Sequence, residues 1–292
     1  AGGAEILKET FQLMDQGKRA LALRYDLTVP FARFVAMNPQ LKMPFKRYQI
    51  GRVFRDGPVS TNRLREFTQC DCDIVGTRSL VADAECIRLY LQCFSDLGLP
   101  IIVRVNNRKI LDESMNTLAL PENVRESVIL ALDKIEKKPR KDVGDEIVAL
   151  GVSREAIEKL FALLTVSGNN KEILARLEKF LGESDGVKEL KELLRSCPSK
   201  NVRLVPSLAR GLSYYTGTIF EVYFKDGSIP NSIGSGGRYD KMIGLFVGGL
   251  LEYPAVGCSF GLDVIINALR TKRKQVKKSL VQVYVVPIGI DV

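Results

Sequence analysis

The chain has 292 residues, 46% hydrophobic and 26% charged, a globular composition long enough for one large core or two domains. It contains no histidine, which excludes Ser-His-Asp and Cys-His catalysis and most zinc chemistry. No apolar run is long enough to span a bilayer, the N-terminus lacks a signal-peptide layout, and the net charge of +9 suits a polyanionic partner or simply a basic, soluble surface.

Residues 21–29 alternate, with Arg24, Asp26 and Thr28 on one face and Leu23, Tyr25 and Leu27 on the other; the spacing predicts a strand ended by Pro30. Residues 48–55 form a second predicted strand, closed by the turn signal Asp56-Gly57-Pro58, and residues 67–75 a third. These two would pair as a hairpin with a long tip, and long tips commonly carry function. Residues 81–97 place Val81, Ala84, Ile87, Leu91 and Phe94 at helical spacing, and Gly98 and Pro100 stop that helix. Residues 101–105 read as a short strand. From 109 to 195 Lys, Glu, Leu and Ala dominate, the composition of a helical insertion. Strand character returns at Val202, glycines become dense between Gly211 and Gly261, and 262–269 reads as a helix. The charged tract 270–278 reads as a linker and 281–287 as the first strand of a further, truncated domain. The expected organisation is a core in two parts (1–105 and 201–275), a helical insertion at 106–200, and a linker plus strand at 276–292. The six cysteines are sparse for this length and read as reduced thiols of a cytoplasmic protein.

Several stretches could carry chemistry. In GRVFRDGPVSTNRLREF (51–67), Arg52, Arg55, Arg63 and Arg65 cluster on the second strand and its tip. Guanidinium groups clamp phosphate bidentately, although a solvated basic hairpin would look the same. In LARGLSYYTGTIFEVYF (208–224), Arg210 sits among small and apolar residues, where arginine is costly unless it meets an anion. Tyr214 and Tyr215 follow, and Gly211 and Gly217 let backbone approach a ligand; an aromatic hairpin with a structural ion pair is the alternative. SIGSGGRYDKMIG (232–244) fits neither the dinucleotide fingerprint nor a P-loop, and suggests a backbone wall against a flat ligand. In VGCSFGLDVI (256–265) small residues lead into a helix, which suits a nucleotide or tight helix–sheet packing equally.

EFTQCDCDIVG (66–76) has the composition of a metal motif but not its geometry. In a strand, Phe67, Gln69, Asp71, Asp73 and Val75 share one face while Cys70 and Cys72 point the other way, so these groups cannot converge on one ion. The cysteines read as small apolar fillers. Gln69 and Asp73 would stand about 13 Å apart, so both reach one small ligand only if it lies along the strand or the strand is curved.

Taken in order, these segments resemble the histidyl-tRNA synthetases, a family of class II aminoacyl-tRNA synthetases. LRYDLTVPFAR (23–33) resembles the histidine- and adenylate-site strand, and FRDGPVSTNRLREFTQCDCDIVG resembles motif 2. LARGLSYYTGTIFEVY resembles the RGLxYYTGTxFE segment, a highly specific signature, while GSGGRYD and PAVGCSFGLD resemble the glycine wall and motif 3. The resemblance spans nearly the whole chain and is weakest in the helical insertion. It implies an α+β fold, an antiparallel sheet flanked by helices with a helical insertion domain, and a C-terminal anticodon-binding domain opening at the end of the chain. Motif 1, which forms the dimer, would lie upstream of Ala1.

By that resemblance the reaction joins L-histidine to ATP, with Mg²⁺ carried on the phosphates, and passes the histidyl group to tRNA(His) in a homodimer. Arg55 and Arg210 would be the catalytic arginines, Arg55 on the α-phosphate and Arg210 bridging it to the substrate carboxylate. Asp26, Thr28 and Gln69 would take the amino group; Asp73 and Tyr215, beside Tyr214, would face the imidazole. Arg63, Gly236 and Gly261 would join Arg55 around ATP. One departure stands out: the family's motif 3 arginine is Val264 here, with Arg65 a substitute by proximity. That loss would also suit a synthetase-like paralogue without catalysis, such as the regulatory subunit of ATP phosphoribosyltransferase or a tRNA-sensing domain.

Overall fold

The computed structural model describes residues 3–60, 63–135, 138–209, 214–249, 251–272 and residue 283. A short helix α1 (Gly3–Lys8) and a two-stranded ribbon of β1 (Gln12–Met14) and β2 (Ala20–Ala22) precede the main sheet. The strand predicted at 21–29 is therefore only its first residues; Thr28 already opens helix α2 (Thr28–Met37). Pro30 falls in the first turn of that helix, where its missing N–H would have had no helical partner, so it starts a helix rather than ending a strand. The Asp26 carboxylate accepts the Val29 N–H at 3.0 Å and satisfies another of the open donors of that turn.

The predicted hairpin is present. Strands β3 (Phe45–Phe54) and β4 (Glu66–Val75) pair antiparallel, from Phe45 opposite Val75 to Phe54 opposite Glu66. Helix α3 (Leu80–Asp96) follows, with Ser79 capping its first turn, and then strand β5 (Ile101–Asn107). Among the described residues, six helices separate β5 from β6 (Val202–Leu204): α4 (Arg108–Thr117), α5 (Glu122–Leu132), α6 (Arg140–Ala149), α7 (Arg154–Leu164), α8 (Asn170–Leu181) and α9 (Asp185–Ser196). They enclose an apolar cluster of their own that includes Ile110, Leu132, Phe161 and Leu190. Strands β7 (Thr218–Phe224), β8 (Gly234–Arg238) and β9 (Ala255–Gly261) complete the sheet, with a 3₁₀ turn at Gly244–Val247 between the last two. Helix α10 (Leu262–Lys272) takes in Arg270, Thr271 and Lys272, the start of the tract predicted as a linker; basic residues suit a helix C-terminus, and the Thr271 hydroxyl donates to the Asn267 carbonyl one turn back at 2.9 Å. The strand predicted at 281–287 lies outside the described residues, apart from Val283.

The seven strands run in the order β3-β4-β9-β8-β7-β5-β6, all antiparallel except β5 with β6. This is the α+β architecture expected. The core on one side is built from α3 against the sheet: Tyr90 and Phe94 pack on Phe220, Phe224 and Phe260, and Cys70 and Cys72 fill in beside them. Gln69, Asp71 and Asp73 therefore face the other way, toward α2 and the loop before it. Arg238, at the end of the glycine strand, is buried and locked to Asp83 of α3, with the Thr77 carbonyl as a further partner. It fastens the helix to the sheet rather than lining a cavity.

Candidate active site

Two adjoining cavities open on the face of the sheet opposite α3. The smaller, about 60 Å³, is walled by β4, the 25–28 segment, the tyrosine pair and strands β8 and β9. It brings together Asp26, Thr28, Gln69, Asp73, Tyr214, Tyr215 and Gly236, residues singled out in the sequence from four separate segments. It also holds Asp71, Tyr239 and Gly257, which carried no expected role. The larger, about 400 Å³, takes in Arg63, Phe67, Gly261, Asp263, Val264 and Asn267. Tyr25, Arg55, Gln69, Ser235 and Ser259 line both, so the two form one continuous surface with Arg55 at the junction.

The floor of the small cavity is backbone. A Cβ on Gly257 would fall 2.1 Å from the Asp73 carboxylate, and one on Gly237 would fall 2.8 Å from the Tyr215 ring. Strands β9 and β8 lie beside β4 in the same sheet, and glycine at these positions keeps side chains out of the cavity wall. The glycine wall read from the sequence is thus part of a strand, and its lack of side chains is what leaves room for the acids beside it.

Those acids are buried. Asp26, Asp71 and Asp73 are 8%, 3% and 4% exposed. Burial pushes the carboxyl of Asp26 up, with the Val29 amide and Arg55 opposing it. Burial pushes Asp71 up to about 7; the Ser259 hydroxyl favours its charged form and Asp73 disfavours it. Asp73 is pushed up to about 6, again by burial, against the pull of Arg47 and the Tyr239 hydroxyl. The Tyr239 hydroxyl donates to Asp73 Oδ1 at 2.6 Å, and Arg47 Nη2 stands 2.9 Å from Oδ2. That ion pair is close but misaligned, so Oδ2 has charge compensation without a hydrogen bond. Gln69 donates its Nε2–H to the Ser259 hydroxyl at 2.9 Å, and among the described residues its Oε1 has no donor. Asp71 Oδ1 also has none. One face of β4 thus presents three buried acceptor atoms, on Gln69, Asp71 and Asp73, that no donor among the described residues satisfies. Such an arrangement is costly unless a ligand rich in N–H donors completes it.

Arg55 is held differently. Its guanidinium lies over the rings of Tyr25 at 4.3 Å and Phe67 at 5.0 Å, and its Nε–H donates to the Tyr25 carbonyl at 3.3 Å. Among the described residues no carboxylate forms an ion pair with it. A stacked arginine with its outer N–H groups directed to a cavity junction is suited to an anion. Arg63 lines the larger cavity but is paired with Glu9 at 2.5 Å. Arg65 does not line it: its guanidinium reaches the Gly57 carbonyl at 3.3 Å and Asp56 at 3.5 Å, tying the hairpin tip together. Arg65, the proposed substitute for the motif 3 arginine, is thus turned toward the hairpin tip, whereas Val264, at the motif 3 position, lies in the cavity wall. Arg210 lies outside the described residues. Among those described, no group of three His, Cys, Asp or Glu side chains is placed to hold a metal ion, and no helix is long and apolar enough to cross a membrane.

The sequence model of the histidyl-tRNA synthetases matches residues 1–265. Histidine–tRNA ligase 1 of Bacillus thuringiensis subsp. konkukian is 46% identical over 99% of this chain and 69% of its own length. The crystal structure of histidyl-tRNA synthetase from Nostoc sp. PCC 7120 superposes with a TM-score of 0.78 at 30% identity, covering 92% of this chain and 65% of that one. A structure described as an ATP phosphoribosyltransferase regulatory subunit/histidyl-tRNA synthetase from Bacillus halodurans C shares the fold, with a TM-score of 0.76 at 24% identity over 89% of this chain and 68% of that one. The chain belongs to the histidyl-tRNA synthetase family of aminoacyl-tRNA synthetases, and spans about two thirds of the length of these relatives.

Proposed function

We propose that this chain carries the amino-acid-activating site of a histidine–tRNA ligase. A carboxylate oxygen of L-histidine would attack the α-phosphorus of ATP, displacing pyrophosphate, and the 3′ hydroxyl of tRNA(His) would then take the histidyl group from AMP. The observation that carries this reading is the row of donor-less acceptors on Gln69, Asp71 and Asp73 beside Arg55. Histidine brings an ammonium and an imidazole N–H to that row, and its carboxylate would face the cationic junction.

Asp26, Thr28 and Gln69 would hold the amino group, and Asp73 with Tyr214 and Tyr215 the imidazole end. An analogue lacking a ring N–H leaves the Asp73 carboxylate unmatched, which is how a buried polar site rejects isosteres. Arg55 and Arg210 would neutralise charge at the α-phosphate, with Arg63 at the outer phosphates and the backbone of Gly236 and Gly261 against the nucleotide. Mg²⁺ would be held by the phosphates. In-line attack by a carboxylate needs positioning and charge neutralisation rather than a protein base, so a chain without histidine is suited to it. The helices between β5 and β6 would form an inserted domain, and the active assembly would be a cytoplasmic homodimer.

Histidine-dependent exchange of labelled pyrophosphate into ATP tests the reading, with exchange expected on histidine and not on glutamine or histidinol. Val264 supports a second reading, a paralogue that binds histidine without activating it. Histidine binding without exchange would favour that paralogue, and no histidine binding at all would end both.

A further inference from the structure

Strand β5 ends in two adjacent asparagines, Asn106 and Asn107, both fully buried. Val103 and Val105 point into the core under α3, so alternation turns Asn106 to the opposite face of the sheet, the one that carries the cavities. There it stands in register with Ile219 of β7. Its Nδ2 donates to the main-chain carbonyls of Pro206 and Leu208, 100 and 102 residues away, at 2.8 and 2.9 Å. The backbone on either side grips the same connection. The Val205 N–H donates to the Val105 carbonyl at 2.9 Å, and the Arg108 N–H to the Gly217 carbonyl at 2.8 Å. Residues 105–108 thus hold both ends of the 205–217 connection between β6 and β7.

A buried amide is costly where a leucine would fill the same space, and the Oδ1 of Asn106 has no donor among the described residues. The pair of bonds to Pro206 and Leu208 offsets that cost. Asn106 lines neither cavity, so it acts on a ligand only through what it holds. Leu208, fixed by one of those bonds, belongs to a small apolar cluster with Tyr215 and Ile219. Tyr215 in turn lines the small cavity together with Asp73. We infer that Asn106 is a positioning residue of the amino-acid pocket: by fixing Leu208 it sets the Tyr215 ring in place for the imidazole before any ligand arrives.

This role rests on the histidine-binding reading, and the test keeps the two apart. Binding of L-histidine is measured by calorimetry on the intact protein, on Asn106→Leu, on Tyr215→Ala and on the double variant. Leucine fills the space of the amide but leaves the Pro206 and Leu208 carbonyls without their donor. Asn106→Leu is expected to weaken histidine about 10-fold or more, the scale of losing buried hydrogen bonds. In the Tyr215→Ala background the same change is expected to cost about twofold or less, because the ring through which Asn106 acts is already gone. An equal loss in both backgrounds would make Asn106 a structural anchor of the connection and nothing more. No loss in either would remove it from the pocket altogether. Both results overturn the role while leaving the histidine site in place. Should Asn106→Leu fail to fold, Leu208→Ala keeps Asn106 and cuts the next link, and the same loss, absent without the Tyr215 ring, is required of it. Failure of the unaltered protein to bind histidine would instead remove the reading on which the role stands.

Discussion

Replacing Arg55 with alanine is expected to reduce histidine-dependent pyrophosphate exchange by about 10²- to 10³-fold, the scale seen when one preorganised group is removed from a developing charge. The guanidinium joins the two cavities, and its plane is fixed by Tyr25, Phe67 and the Tyr25 carbonyl before any ligand arrives. That preorganisation matters, because a group already aimed costs nothing to reorient at the moment of reaction. Arg55→Lys is expected to lose nearly as much, since an ammonium cannot lie flat between two rings or offer two parallel donors. Exchange rates at saturating ATP and histidine, with histidine affinity measured separately, provide the check. A variant that weakens histidine binding but exchanges normally once saturated would move Arg55 from the reacting phosphate to substrate capture.

What could be read from the sequence depended on whether a residue's role was set by its neighbours in the chain. The β3–β4 hairpin was legible because alternation and an Asp-Gly-Pro turn are local signals, and the same alternation separated Cys70 and Cys72 from Gln69, Asp71 and Asp73. The 21–29 segment was misread for a related reason. Its alternation is real, but the Asp26 side chain turns back onto the Val29 amide and Pro30 sits where a helix tolerates it, so the local pattern gave way to a helix start. The environment of Asp73 was out of reach. Tyr239 lies 166 residues away in sequence and Arg47 on the neighbouring strand, and only the sheet register brings both to one carboxylate. Asp71 was the opposite case: its face was known, but only the structure shows that one of its oxygens has no donor among the described residues.

The same crowding of acids makes stability depend on pH, and Arg47 is the residue on which this turns. Burial raises Asp73 to about 6 and Asp71 to about 7, above the value of about 3.9 for an unfolded aspartate. Between about pH 4 and pH 7 the folded state therefore binds more protons than the unfolded state, and these two groups make stability fall as pH rises through that window. Arg47 limits the fall, since its charge favours the ionised forms of Asp26, Asp71 and Asp73. Arg47→Met keeps the aliphatic stem over Phe31, which the guanidinium now covers at 4.0 Å, but removes the charge. At pH 5, where Asp71 and Asp73 are mostly protonated with or without Arg47, the variant is expected to be only about 1 kcal/mol less stable, the scale of the hydrogen bonds lost to the Leu27 carbonyl and Gln49. By pH 8 the deficit is expected to reach about 3–5 kcal/mol, the cost of leaving buried carboxylates without their cation. Denaturant unfolding of both proteins at the two pH values measures it. A deficit of the same size at pH 5 and pH 8 would mean that Arg47 supports the wall by packing and hydrogen bonding alone, and that the acids of the pocket do not depend on its charge.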